Sequence, residues 1–206
     1  ATKWLGGMGR ALGGLVIDLG MDWSQTKSNS IKTLYKEARQ MSFVTRCRKL
    51  RSNKGAIMSA FTAFLLETGI ETLGLRLQKQ CENALQLAEA LIKNKTFKNV
   101  NYPGLTSSPS YETAKTQLKN GFGGIITFRL GSKDACFKFI KQLKLAKNIA
   151  NLGDLQTLVI HPASTIYRNL SVAQKEAAGA YDDLIRVSVG VEHHDDIINE
   201  FYGALT

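Results

Sequence analysis

The chain has 206 residues, 44% of them hydrophobic and 21% charged, enough to bury a sizeable core in one domain or one and a half. No apolar run reaches the roughly 18 residues of a membrane-crossing helix, and the N-terminus lacks the basic, apolar and small-residue succession of a secretory signal. Its three cysteines, Cys47, Cys81 and Cys136, are odd in number and far apart. That argues against a disulfide framework or a Cys/His zinc cluster and fits a reducing, cytoplasmic setting.

In chain order, the first signal is Ala1-Thr2-Lys3-Trp4-Leu5-Gly6-Gly7. A lysine that follows a small hydroxylated residue and precedes a Gly-rich stretch can condense with an aldehyde, while Thr2 and nearby backbone N–H groups can hold a phosphate. Six glycines make the first twenty residues turn-rich, and Leu12 to Asp18, centred on Leu15-Val16-Ile17, reads as a short buried strand. Ser28-Asn29-Ser30 offers helix-start chemistry for a basic helix running to about Leu50. The net charge of +10 is concentrated there: nine lysines and arginines from Lys27 to Lys54 face one acid, Glu37. That run reads as a solvated face, or one meeting an acidic partner surface, in preference to a nucleic-acid-binding helix, for which no motif is present.

A long helix is expected from about Ala56 to Leu91, with Leu66, Ile70, Leu73, Leu77, Ala84, Leu87 and Leu91 along one face. Gly69 and Gly74 within it point to a kink or to close packing against another element. After a loop from Asn101 through Pro109, the pattern turns to alternation. Gly121–Leu130, Thr157–Ile160 and Leu184–Val189 read as strands, and Lys133–Leu145 and Asp195–Leu205 as helices. The series implies an α/β unit with helices on one face of a sheet. His161 reads as a strand-end histidine with a satisfied hydrogen bond, His193 and His194 as solvated helix-entry residues, and Cys81 as a small buried hydrophobe.

Four blocks in family order carry a resemblance. They are Ala1 to Gly7; Ala63-Phe64-Leu65-Leu66 through Glu71-Thr72-Leu73-Gly74-Leu75-Arg76; Asn120 to Gly124; and Leu152 to Thr165 followed by Asp183 to Glu192. The chain resembles the Cys/Met-metabolism family of pyridoxal-phosphate enzymes, and within it the O-acetylhomoserine sulfhydrylases. Met8 stands where many members have histidine, and the stretch from 24 to 54 is hard to match.

The resemblance implies an α/β fold. Residues 1–55 would be the end of a fold-type-I large domain that binds pyridoxal 5'-phosphate, 56–95 a long connecting helix, and 96–206 a C-terminal small domain. That small domain would hold a mostly antiparallel sheet covered by helices on one face. It implies that Lys3 is the Schiff-base lysine and that Thr2 bonds the cofactor phosphate. Arg186 would grip the substrate α-carboxylate, with Thr157 beside it; a planar guanidinium suits that task because it binds a carboxylate bidentately. The implied reaction is γ-replacement of the acetate of O-acetylhomoserine by sulfide, in a homo-oligomer that is a tetramer in the family. Transsulfuration of the cystathionine γ-synthase or γ-lyase type is the alternative, and a non-catalytic subunit-interaction fragment a further one. The chain would begin past the midpoint of a full-length member and would not hold the cofactor productively alone.

Overall fold

The computed structural model describes residues 1–205. No regular element precedes Trp23. The strand expected over Leu12–Asp18 is instead an irregular segment whose apolar side chains face solvent, Leu12 at 80% and Ile17 at 75% exposure. A strand exists only where a neighbour satisfies its backbone. Here that satisfaction is confined to Gly13, whose carbonyl takes the Thr2 amide and whose N–H reaches the Thr2 hydroxyl.

The basic stretch forms two helices, α1 (Asn29–Ala38) and α2 (Ser42–Lys54), rather than one. The break falls at Arg39, whose φ of 50° lies outside the α-helical region, and Arg39–Met41 form a single 3-10 turn between the two. Phe43 stacks on Trp23 with ring centroids 5.0 Å apart, and the Tyr35 hydroxyl donates to Asp22. These aromatics are therefore spent on local packing.

The long helix is likewise two, α3 (Ala60–Glu71) and α4 (Leu73–Lys93), broken at Thr72. Ser59 caps the first by accepting the Thr62 N–H. On α4 the expected apolar face holds from Ala84 onward, with Ala84, Leu87, Ala88 and Leu91 buried. Its first half buries a polar stripe instead, Arg76, Gln80 and Asn83, at helical spacing.

Beyond α4 come β1 (Lys98–Asn101), α5 (Tyr111–Gln117), β2 (Ile125–Arg129), α6 (Lys133–Gln142), β3 (Leu158–Ile160), α7 (Val172–Ala177), β4 (Leu184–Ser188) and α8 (His194–Gly203). The strands form one antiparallel sheet in the order β1-β2-β4-β3. Ile126, Phe128, Ile185 and Val187 alternate onto the face covered by α4, α6 and α8. There Phe97, Phe128, Phe139 and Phe201 pack edge to face, with centroids 5.0–6.2 Å apart. Such pairs add about 0.5–1.5 kcal/mol each beyond their area. No helix among the described residues is long and apolar enough to cross a membrane.

Candidate active site

Because Ile185 and Val187 enter the core, strand alternation sends Arg186 to the opposite face of β4. Its register neighbours are Thr127 on β2 and Ile160 on β3. Half-buried there, Arg186 donates from Nη2 to the Asn151 carbonyl at 3.0 Å, while its Nε–H is buried without a hydrogen-bond partner. Burial lowers the guanidinium pKa, and nearby Tyr167 opposes that shift.

Asn151 belongs to a segment that the fold places with care. The Glu200 carboxylate on α8 accepts the amides of Lys144, Leu145 and Ala146, fixing the chain's exit from α6. Lys147 then exchanges backbone bonds with Thr157 and Val159 alongside β3. Past Asn151, the Gly153 N–H donates to the buried Ser188 hydroxyl at 2.9 Å, and Gln80 donates to the Asp154 carbonyl at 2.6 Å. Gly153 has φ +71°, and a Cβ there would lie 2.9 Å from Trp4. Glycine thus lets the Lys3 loop sit directly on this segment.

From that loop, exposed Lys3 donates through Nζ to the Asn151 side-chain oxygen. Lys3 and Arg186, nominated from opposite ends of the sequence, therefore share one residue. A cleft of about 300 Å³ is lined by Trp4, which follows Lys3 in the chain, and by Thr127, the register partner of Arg186, together with Pro103, Phe122 and Ile125. A second cavity, about 350 Å³, lies by Arg129, Lys133 and Lys175; Lys3, Asn151 and Arg186 line neither of the two.

The other two nominated residues are already engaged. The Thr2 hydroxyl accepts the Gly13 N–H at 3.0 Å and reaches the Gly13 carbonyl at 3.3 Å. Thr157 is fully buried; its hydroxyl donates to Glu192 at 2.9 Å and accepts the Gly190 N–H at 3.0 Å. His161 is buried between Ser164 and the Asp182 carbonyl. His193, His194 and Asp195 put ligand-type atoms within 4.8 Å of one another at the start of α8. His193 caps that helix by accepting the Asp195 N–H, and the positive end of a helix disfavours a cation.

The sequence reading did not single out Asn151, Glu192, or the roles of Arg76, Gln80 and Asn83. Asn151 carried no signal beyond its place just before the Leu152-Gly153-Asp154 block. The three polar residues of α4 did carry one: they occupy spacings of three and four on a helix whose later turns bury leucine at the same phase. Asn83 donates to the carbonyls of Gly190 (3.0 Å) and Glu192 (2.7 Å), so the stripe ties the exit of β4 to the same helix as the 151–154 segment.

Chemically, the cluster offers a solvent-accessible amine beside a half-buried guanidinium with donor capacity left. The sequence pattern of the Cys/Met metabolism PLP-dependent enzyme family matches residues 1–206. The chain is 40% identical to a homocysteine/cysteine synthase of Saccharomyces cerevisiae, over 98% of this chain and 51% of that protein. It is 35% identical to O-acetyl-L-homoserine sulfhydrylase 1 of Thermus thermophilus, over 99% and 51%. Among solved structures, it superimposes with a TM-score of 0.87 and 31% identity on a Campylobacter jejuni protein assigned as an O-acetylhomoserine (thiol)-lyase. That crystal contains a pyridoxyl-lysine phosphate, and the match covers 99% of this chain and 52% of that one. A cystathionine γ-lyase of Micromonospora echinospora gives 0.82 and 29%, over 99% and 48%. The chain spans about half the length of the curated relatives it matches. On the match over its whole length, the chain belongs to the Cys/Met metabolism family of PLP-dependent enzymes.

Proposed function

We propose that this chain carries the lysine and the carboxylate-binding arginine of an enzyme that exchanges the acetate of O-acetylhomoserine for sulfide, giving homocysteine and acetate. The observation that carries this reading is the convergence of Lys3 and Arg186 on Asn151. The names of the yeast and Thermus relatives support the substrate class.

The donor set fits pyridoxal phosphate at its reactive end, an amine beside a guanidinium whose Nε–H lacks a partner. Bound pyridoxal phosphate would supply an aldehyde that the substrate amine takes over from Lys3, leaving the lysine amine free, and a ring that would store the electron pair left by proton removal. Arg186 holds the α-carboxylate, whose oxygen satisfies the buried Nε–H and fixes which Cα bond is presented to Lys3. Lys3 Nζ, exchanging its contact with Asn151 for the substrate, takes the Cα proton and serves the proton transfer at Cβ. Acetate departs with the electron pair of the Cγ–O bond, and sulfide forms the new bond to that carbon. Thr2 reaches a phosphate by turning its hydroxyl away from the 3.3 Å contact with Gly13. Thr157 acts behind the site: through Glu192 and Gly190 it holds the exit of β4, and with it the register of Arg186. A homo-oligomer and a cytoplasmic setting belong to the same reading. The exposed apolar segment around Leu12–Leu19 supports the first, and the three widely spaced free cysteines the second.

The test is trapping: incubate the chain with pyridoxal phosphate, reduce with borohydride, and map the label by mass spectrometry. Label concentrated on Lys3 and abolished by Lys3→Ala is expected; label spread evenly over Lys27–Lys54 with none favoured at Lys3 rejects the reading. The likeness to a cystathionine γ-lyase makes transsulfuration the second reading. Product analysis with cysteine replacing sulfide separates the two.

A further inference from the structure

Arg76 is 6% exposed, yet among the described residues it has no acidic partner. Its guanidinium is satisfied by neutral acceptors instead. Nη1 donates to the Trp4 carbonyl at 3.0 Å, and Nη2 to the carbonyls of Gly69 at 2.6 Å and Leu5 at 3.4 Å. Nε donates to the Thr72 hydroxyl at 3.0 Å. Two of these acceptors are the residues that directly follow Lys3; the other two lie at the α3–α4 junction.

The surroundings are shaped for this contact. A Cβ on Gly7, which has φ +70°, would lie 2.2 Å from the guanidinium carbon, and one on Gly69 would lie 2.5 Å from the Gly6 carbonyl oxygen. Missing side chains on both sides let the plane of the arginine lie against the loop backbone. A helix C-terminus attracts a cation, but one such carbonyl does not explain bonds to Trp4 and Leu5.

We propose that Arg76 is the positioning residue for Lys3: its fork fastens the turn after Lys3 to the α3–α4 junction and so sets where the Lys3 amine stands. This rests on the reading of Lys3 as the cofactor-bearing lysine. Arg76 is engaged by these four acceptors and acts on the amine only through the loop backbone. Lysine cannot replace it, because one ammonium cannot span acceptors on the loop and on α3 with the fixed angles of a fork.

Two readouts on the full 206-residue chain test this. Amide hydrogen exchange follows Gly6 and Gly7, whose N–H groups bond Ala1 and Lys3 carbonyls, and separately β2 and β4. Borohydride trapping with pyridoxal phosphate follows the rate of Lys3 labelling. In Arg76→Gln, exchange at Gly6 and Gly7 is expected to rise and Lys3 labelling to slow, each about tenfold, with β2 and β4 unchanged. Arg76→Lys should recover less than half of either effect. Unchanged labelling and loop exchange, or loss of protection spread equally over β2 and β4, would overturn the proposal. If Arg76→Gln does not fold, Arg76→Lys decides by the same criteria. If the unsubstituted chain takes no label at Lys3, the cofactor reading fails, while loop exchange still decides whether Arg76 holds the turn.

Discussion

Lys3 and Arg186 meet at Asn151 through different atoms: the amine uses the side-chain oxygen, and the guanidinium the main-chain carbonyl. The two contacts are therefore separable by substitution. The carbonyl is positioned by Gly153, Ser188 and Gln80 and survives any side-chain change, whereas the amide oxygen does not.

Asn151→Ala is accordingly expected to release Lys3 and leave Arg186 in place. Asn151 is half-buried, so the stability change should stay within about 1 kcal/mol, while Lys3 trapping slows a few-fold. Asn151→Asp tests the electrostatics. A carboxylate beside the amine favours its charged, unreactive form, so labelling at a given pH should slow further than in Asn151→Ala. A pH profile of borohydride trapping across the three proteins checks both outcomes.

Thr157→Val removes a hydroxyl that both donates and accepts in a fully buried place. The Gly190 N–H would lose its acceptor and the Glu192 carboxylate one of its donors, a cost of about 2–3 kcal/mol. Thr157→Ser keeps both bonds and should cost less than about 1 kcal/mol. Urea unfolding of the two variants measures the difference. Equal midpoints for both would mean that the hydroxyl carries nothing.

Much of the sheet was legible because its strands alternate: Ile126 and Phe128 face the core while Thr127 does not, and Arg186 sits between Ile185 and Val187. The edge strand β1 escaped notice because Lys-Asn-Val-Asn has neither alternation nor an apolar run. It is an exposed edge that bulges at Asn99, whose φ is 49°. The reading failed in the opposite direction at Leu15-Val16-Ile17, where strand-forming residues find no partner strand. On α4, apolar periodicity pointed to Leu73 and Leu77, while the more deeply buried phase belongs to Arg76, Gln80 and Asn83. Their burial is stabilised by carbonyls from loops far away in sequence, and no local pattern reports such partners. The Asn151 bridge is hidden for the same reason.

Cys136 is fully buried on α6. Burial first, and Asp183 second, push its thiol from 9.0 up to about 12, against a smaller opposing effect of the Leu130 backbone. A thiol whose folded pKa is raised stabilises the fold fully below the unfolded value, and that contribution is lost as pH rises through the folded value. Between pH 9 and 12 the unfolded chain sheds this proton and the folded chain keeps it, so stability should fall by about 1.4 kcal/mol per pH unit from this group. Subtracting the pH profile of Cys136→Ala isolates the slope. Thiol titration of the native chain at pH 8 should also leave Cys136 unreacted until denaturant is added.

Gly69 and Gly74, alike in sequence as glycines in a helical stretch, should respond to alanine with opposite signs. Alanine is worth up to about 1 kcal/mol over glycine in a helix. At Gly74, on the exposed first turn of α4, a new Cβ would meet nothing within 4 Å, so Gly74→Ala should stabilise the chain by about 0.5 kcal/mol. At Gly69 the Cβ would lie 2.5 Å from the Gly6 oxygen and 2.7 Å from the Leu5 oxygen. Both are backbone atoms of the turn that Arg76 grips, with no flexible side chain to yield. Accommodating the methyl means moving that turn, and overpacking of this kind costs about 1–3 kcal/mol, which outweighs the helical gain. Gly69→Ala should therefore lower the unfolding midpoint and slow Lys3 trapping, while Gly74→Ala raises the midpoint and leaves trapping unchanged. Stabilisation by both substitutions would mean that the turn after Lys3 does not rest on α3.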